Sequence, residues 1–344
     1  MISFINDYQE GCISEIINIL NKNNYSAYSG YGEDSVCDYA KHLIKLELKR
    51  NDCDVHFIAG GTLTNKIVIS SFLRSYECII CAESGHIATH ETGAIELGGH
   101  KVITVKTKNG KVTAEDVHNV CREYKVSSVK DHVVKPGMLY ISQSTEVGTV
   151  YTLEELRSLS EICKYENILF YIDGARILYS LFSKDCDFTL ADVASLCDIF
   201  YIGGTKAGAL FGEALVINKE ELKPNFRAIL KQNGALTAKG FVLGAQFVGL
   251  FENGNYKKYC KKAVELADSI RNAFRSKGVE LEFDSQDTQT FVVVTKSQFD
   301  MLYEHFLFGA PEMRENDKYS IRFCTSWATD EMSVFTLICL INKF

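Results

Sequence analysis

Two short apolar runs limit what this chain can fold into more than any other feature, because each stops at residues suited to a strand tip. Ile168-Leu169-Phe170-Tyr171-Ile172 runs into Asp173-Gly174-Ala175-Arg176, and Cys197 to Ile202 runs into Gly203-Gly204-Thr205-Lys206. Thirty-three residues separate Asp173 from Lys206. That is room for one helix and one strand, so the two tips can be neighbours. A carboxylate at one tip can hold a protonated pyridine nitrogen, and an amine at the next can form an imine with an aldehyde. Pyridoxal 5'-phosphate chemistry requires these two protein groups, the cofactor itself being the electron sink. Taken singly, Asp173 reads as a helix cap and Lys206 as a solvated loop lysine, since Asp-Gly and Gly-Gly are ordinary turn sequences. Together they favour the cofactor.

The rest of the chain supplies a setting for such tips. Apolar positions at helical spacing over 12–23 and a second helix capped by Asp34 open the chain. Strand and helix signals then alternate: strands at 54–59, 77–82, 101–105 and 138–142, with helices at 63–73, from Thr113, and at 153–165. Such alternation predicts an α/β fold with a mostly parallel sheet covered on both faces. Beyond Ala214-Leu215-Val216-Ile217 the pattern changes. Residues 219–278 read as largely helical, followed by strands at 279–283, 290–295 and 319–323 with helices between and after them. The expected division is a large domain over 1–235 and a smaller α+β domain over 236–344.

Bulk properties narrow the partners. The chain has 344 residues, too many for one ordinary core. A net charge of −7 gives no electrostatic reason to bind nucleic acid or an anionic membrane. No apolar run is long enough to span a bilayer, and the N-terminus lacks the basic and apolar segments of a signal peptide. Twelve cysteines are scattered without pattern, several in apolar runs, as expected of buried thiols in a reducing, cytoplasmic setting. Cys78 and Cys81 form the one CxxC spacing; lying in a strand without a second pair, they read as core residues.

Three further groups of residues can carry chemistry. Gly60-Gly61-Thr62 stands between a strand and a helix, where glycines admit a phosphate to the helix N-terminus; it is neither a Walker loop nor a GxGxxG motif. His86 follows the next strand and can stack on a planar ring or carry a proton near neutral pH. His90 and Glu91 beside it raise metal binding as an alternative, but no HExxH order or third ligand accompanies them, and a surface histidine is the plain reading. Arg176 and Arg322 are candidates to hold a substrate carboxylate, against solvated or edge-exposed positions.

These landmarks, in order along nearly the whole chain, resemble the threonine aldolase family. They are Asn6-Asp7, Tyr31-Gly32-Glu33-Asp34, Gly61-Thr62 with Asn65, His86 with Glu91 and Gly93, Asp173-Gly174-Ala175-Arg176, Thr205-Lys206, and Arg322. The resemblance implies an aspartate aminotransferase type of fold (pyridoxal phosphate fold type I). It implies an aldolase that cleaves threonine or a related β-hydroxy amino acid to glycine and an aldehyde. It further implies Lys206 as the imine lysine, Asp173 at the pyridine nitrogen and His86 on the ring. Gly61, Thr62 and Thr205 would hold the cofactor, and Arg176, Arg322 and Asn6 the amino-acid substrate. It also implies a homo-oligomer, a dimer or tetramer, with sites at the subunit interface and Tyr31 reaching a neighbour's cofactor.

Two departures stand out. Many members carry Thr-His-Asn where this chain reads Gln143-Ser144-Thr145-Glu146, so Glu146 is the nearest titratable group near the substrate hydroxyl. A glycine-rich stretch followed by Met-Arg-Gln is replaced by Asn233 to Gly240, leaving Lys231 or Lys239 to supply the charge of a phosphate-binding arginine. Another elimination or an aminotransferase reaction on the same scaffold, or a phosphate-binding protein without catalysis, are the competing readings.

Overall fold

The computed structural model describes residues 1–344 apart from the side chain of Ala310. Its strands are β1 (Ile2–Phe4), β2 (Asp54–Ile58), β3 (Glu77–Ala82), β4 (Val102–Val105), β5 (Lys135–Ser142), β6 (Leu169–Asp173), β7 (Ile199–Gly203) and β8 (Glu213–Ile217), then β9 (Glu280–Leu281), β10 (Gln289–Thr295), β11 (Phe306–Met313) and β12 (Lys318–Cys324). Seven form the large sheet, in the order β2-β8-β7-β6-β5-β3-β4. All neighbours pair in parallel except β8, which runs antiparallel to both β7 and β2.

The continuous apolar runs of the central strands follow from burial on both faces. Alternate residues point to opposite sides. Phe170, Ile172, Phe200 and Ile202 enter one core, while Tyr171, Ile199 and Tyr201 enter the other. Helix starts agree with their sequence signals: Asp34 accepts from the backbone N–H groups of Val36 and Cys37, and Thr113 and Thr152 form capping boxes with Asp116 and Glu155. All twelve cysteines are free thiols, and Cys78 and Cys81 are fully buried in β3.

Five strands form a second sheet, β1-β11-β12-β10-β9, with the helices at Asn255–Ser276 and Glu331–Ile341 packed on its apolar face. Its composition departs from expectation in two places. β11 replaces part of the expected helical connection; its Gly309 and Pro311 weaken the strand signal, and the pairing shifts register between Gly309 and Glu312. β1 joins from the far end of the sequence, Ile2 pairing in parallel with Phe306. The N-terminal residues therefore leave the small sheet at Phe4 and pass directly to the large one, a course that three strand residues cannot announce.

On edge strand β2, His56 packs against Phe226 with ring centroids 5.1 Å apart, and its buried Nε2 has no hydrogen-bond partner. Burial pushes its pKa down from the usual histidine value to about 4. Between those values the unfolded chain binds a proton that the folded chain does not, so stability falls as pH drops through that window. We expect His56→Phe to gain on the wild type by about 2–3 kcal/mol between pH 7 and pH 4, read by urea unfolding across pH; a constant difference between the two proteins would contradict this.

Candidate active site

The tips of β5, β6 and β7 meet a cavity of about 400 Å³. Its wall includes Gly60, Gly61, Thr62, His86, Glu146, Asp173, Arg176, Thr205 and Lys206. Eight sequence-predicted residues are thus brought together, Gly60 being their neighbour. Asp173 ends β6, and Lys206 lies three residues past the end of adjacent β7, with its carbonyl held by the Tyr179 hydroxyl at 2.6 Å.

The Asp-Gly and Gly-Gly pairs allow these tips to pack, which is more than turn chemistry. A Cβ on Gly174 would lie 1.8 Å from the Tyr201 carbonyl oxygen, and one on Gly203 would lie 2.5 Å from that of Ala175. The two loops are locked by the Gly203 N–H donating to the Gly174 carbonyl at 2.9 Å.

Asp173 is 3% exposed and accepts four hydrogen bonds. Oδ1 takes the Tyr201 hydroxyl at 2.5 Å and the Ala175 N–H at 3.0 Å. Oδ2 takes the Tyr140 hydroxyl at 2.7 Å and the Asn65 amide at 3.1 Å. The network runs onward. Asn65 also donates to Glu91 at 2.7 Å and accepts from Tyr171 at 2.6 Å, while Glu91 Oε1 lies 2.8 Å from His86 Nδ1. Burial opposes charge on His86, but the Glu91 hydrogen bond and the Asp173 charge outweigh it and raise its pKa. With Nδ1 engaged by Glu91, the rings of His86 and His90 stack at 5.6 Å.

Glu146 spans the point where the strand order reverses, between β3 and β5. Its Oε1 accepts from the His86 N–H at 2.9 Å and the Ser142 hydroxyl at 2.6 Å. Burial is the main cause of its raised pKa, reinforced by the Asp173 charge. Lys206 is shifted the other way: burial, then the Arg176 charge, lowers its pKa.

The arginines differ from simple expectation. Arg176 faces the cavity, but its Nε and Nη2 are taken by Asp7 at 2.7 and 3.1 Å. Burial resists ionisation of Asp7, yet the charges of Arg176 and Lys206 prevail and lower its pKa. Arg322 lies in an adjoining cavity that shares His90 and Glu146 with the first, and donates to the Gln289 side chain and the Ile5 carbonyl. Asn6 is not on the wall; its side chain accepts from the Tyr8 N–H, and Tyr8 lines the cavity instead. Tyr31 belongs to a separate cavity with Lys41, His56 and Arg227, and Lys231 stands 4.0 Å above its ring. Neither Lys231 nor Lys239 reaches the wall.

Sequence reasoning missed Asp7 as an ion-pair partner and the tyrosines as ligands of the network. A signal for the latter exists: Tyr140, Tyr171 and Tyr201 each stand two residues before the end of a strand, in three adjacent strands. They therefore share one face at one level.

The family model for beta-eliminating lyases matches residues 31–298. The chain belongs to the beta-eliminating lyase family. A low specificity L-threonine aldolase from Pseudomonas sp. is 31% identical, over 96% of this chain and 94% of that protein; its counterpart from Pseudomonas aeruginosa is 29% identical over 95% and 93%. The solved structure of Leishmania major threonine aldolase superposes with a TM-score of 0.96 at 40% identity, covering 100% of this chain and 99% of that one. Thermus thermophilus aspartate aminotransferase follows the same course at 11% identity, TM-score 0.74, over 100% and 91%. The expected aspartate aminotransferase type of fold is therefore the fold of this family member.

Gly174→Ala should destabilise the protein by about 2–4 kcal/mol by forcing the β6 and β7 tips apart. Urea unfolding checks this; a change under about 1 kcal/mol would show that the tips can separate freely.

Proposed function

We infer that this protein is a pyridoxal 5'-phosphate-dependent aldehyde lyase that cleaves L-threonine, allo-threonine or a related β-hydroxy amino acid to glycine and an aldehyde. The observation that carries this reading is the convergence of Asp173, Lys206 and the glycine cradle on one cavity. The residues fit the cofactor. The helix at Gly61–Phe72 opens with N–H groups free of helical partners, and a Cβ on Gly61 would come within 3.1 Å of the Tyr201 hydroxyl, so glycine there keeps the cradle from being crowded. Asp173 already accepts four donors, as many as a carboxylate has lone-pair sites. Asp173 would take a ring N–H in exchange for, or shared with, one of its tyrosine hydroxyl donors.

Gly61, Thr62 and Thr205 would hold the phosphate, Asp173 the ring nitrogen, and Lys206 the aldehyde carbon; His86 would cover the ring. When bound, pyridoxal phosphate supplies the sink for the electrons of the broken Cα–Cβ bond. Arg176, with Nη1 left free by Asp7, orients the substrate carboxylate, and Arg322 approaches from the adjoining cavity. Glu146 is the acceptor for the β-hydroxyl proton, because burial raises its basicity while Ser142 and the His86 N–H fix its position.

Association into a homo-oligomer belongs to the same reading. Tyr31 is held at a φ of +66° and is 42% exposed. Outside its own chain's cavity, it is free to complete a neighbour's. Phe211, on the cavity wall, is also exposed. No helix among the described residues is long and apolar enough to cross a membrane; a cytoplasmic site of action fits the free thiols.

The decisive assay is product analysis with L-threonine, where acetaldehyde and glycine should form in equal amounts. Release of ammonia instead would move the protein to an elimination. Lys206→Ala should lose the visible absorbance that the cofactor acquires on joining a lysine; a full band at the wild-type position would remove Lys206 from this role. Glu146→Gln should lower turnover of threonine by about 10²–10⁴ while leaving cofactor affinity unchanged, and an unchanged turnover would end the assignment of Glu146.

A further inference from the structure

Arg176 and Arg322 are held in different ways, and the difference decides which of them meets a carboxylate with its charge unspent. Asp7 takes Arg176 through two hydrogen bonds, so that guanidinium is already paired. Arg322 has no ion-pair partner among the described residues; its two acceptors are neutral, the Ile5 carbonyl at 3.2 Å and the Gln289 side-chain oxygen at 3.4 Å. A carboxylate nonetheless stands close behind Gln289. Asp287 and Gln289 are both fully buried. Asp287 Oδ1 accepts from the Gln289 N–H at 2.8 Å, while Oδ2 accepts from the Ser144 hydroxyl and, at 3.3 Å, from the Gln289 side-chain amide. Buried Arg271 pins this stretch of backbone, donating to the Asp287 and Gln289 carbonyls at 2.9 and 3.0 Å.

The register of the small sheet sets the order of these groups. Gln289 stands opposite Cys324 and Phe291 opposite Arg322, so Gln289 and Arg322 are diagonal neighbours on one face of β10 and β12. The other face carries Val292, Ile321 and Phe323 into the core of the small domain. A carboxylate only accepts hydrogen bonds and a guanidinium only donates them. An amide between the two fits in one orientation, its nitrogen toward Asp287 and its oxygen toward Arg322. The two side-chain contacts are long, so they matter more for direction than for strength.

We propose that Gln289 is a positioning residue for the substrate carboxylate: it aims Arg322 while keeping Asp287 from pairing with it, so that Arg322 is the arginine whose charge is kept for the substrate. Arg176 then contributes a hydrogen bond from Nη1, its charge being spent on Asp7. No bond is made or broken in this role. The inference rests on the reading of the cavity as an amino-acid site served by Arg322.

The test is the affinity of the holoenzyme for glycine, measured by titration calorimetry. Glycine has the carboxylate but no β-hydroxyl, so neither Glu146 nor carbon–carbon cleavage enters. Arg322→Leu should weaken binding by about tenfold or more, and Gln289→Met, which keeps the side-chain length and removes the amide, by about tenfold. In the Arg322→Leu background the same Gln289→Met change should alter affinity by less than about twofold, because Gln289 acts through Arg322. Asp287→Asn should also weaken binding, since it presents one acceptor oxygen where Gln289 uses two. A merely structural role for Gln289 would cost the same affinity in both backgrounds. That result overturns the inference, and so does wild-type affinity in either Gln289→Met or Arg322→Leu. The threonine product assay is independent of all three results: the expected glycine pattern in a protein that releases ammonia from threonine would uphold this role for Gln289 and end the aldolase reading.

Discussion

A carboxylate removed from water organises this molecule. Burying Asp173 alone would cost several kcal/mol, and the structure offsets that with four donors, each contributing roughly 1.5–3 kcal/mol to a charged acceptor. These come from the loop after β6, from β5, from β7 and from the helix that begins at the glycine cradle. Those are the segments that build the cavity. The parallel order of β5, β6 and β7 is therefore a condition for tolerating the charge as well as for shaping the site, and a sequence that assembled the strands otherwise would leave Asp173 uncompensated.

The same logic extends to the cations. Arg176 is half-buried on the same cavity wall as Lys206, and two positive groups so placed repel. Asp7 resolves this by taking the guanidinium in a two-bond pair. It arrives on the segment that leaves β1, so the small sheet is tied to the cavity through the N-terminus. A second link runs between the two sheets, where Ser144, in the loop after β5, donates to buried Asp287, just ahead of β10. The small sheet is thus joined to the cavity by two links, and Arg322 of β12 lines the adjoining cavity with Glu146.

How much of this was legible depends on the range of the interactions. Asp173 and Lys206 declared themselves only as a pair: each alone has an ordinary cap or turn reading, but the spacing between them left room for one helix and one strand, which makes the two tips neighbours. The glycines were legible as turn residues, but their reason is contact between two loops, which no local pattern records. Tyr140, Tyr171 and Tyr201 passed as core residues, since an aromatic ring in an apolar strand looks the same whether its hydroxyl is engaged or not. Asp7 and β1 were hidden by distance, their partners lying 169 and about 300 residues away, beyond any local window. Tyr31 and Asn6 stand outside the cavity of their own chain, and family likeness alone had brought them in.

The claim on which the account turns is that one ring is gripped at both ends by two adjacent strand tips. A crystal structure of the protein grown with pyridoxal 5'-phosphate tests it most directly. The account predicts continuous density from Lys206 Nζ to the aldehyde carbon, with the pyridine nitrogen within hydrogen-bond distance of the Asp173 carboxylate. A cofactor joined to another lysine, or one whose ring nitrogen faces away from Asp173, would contradict it.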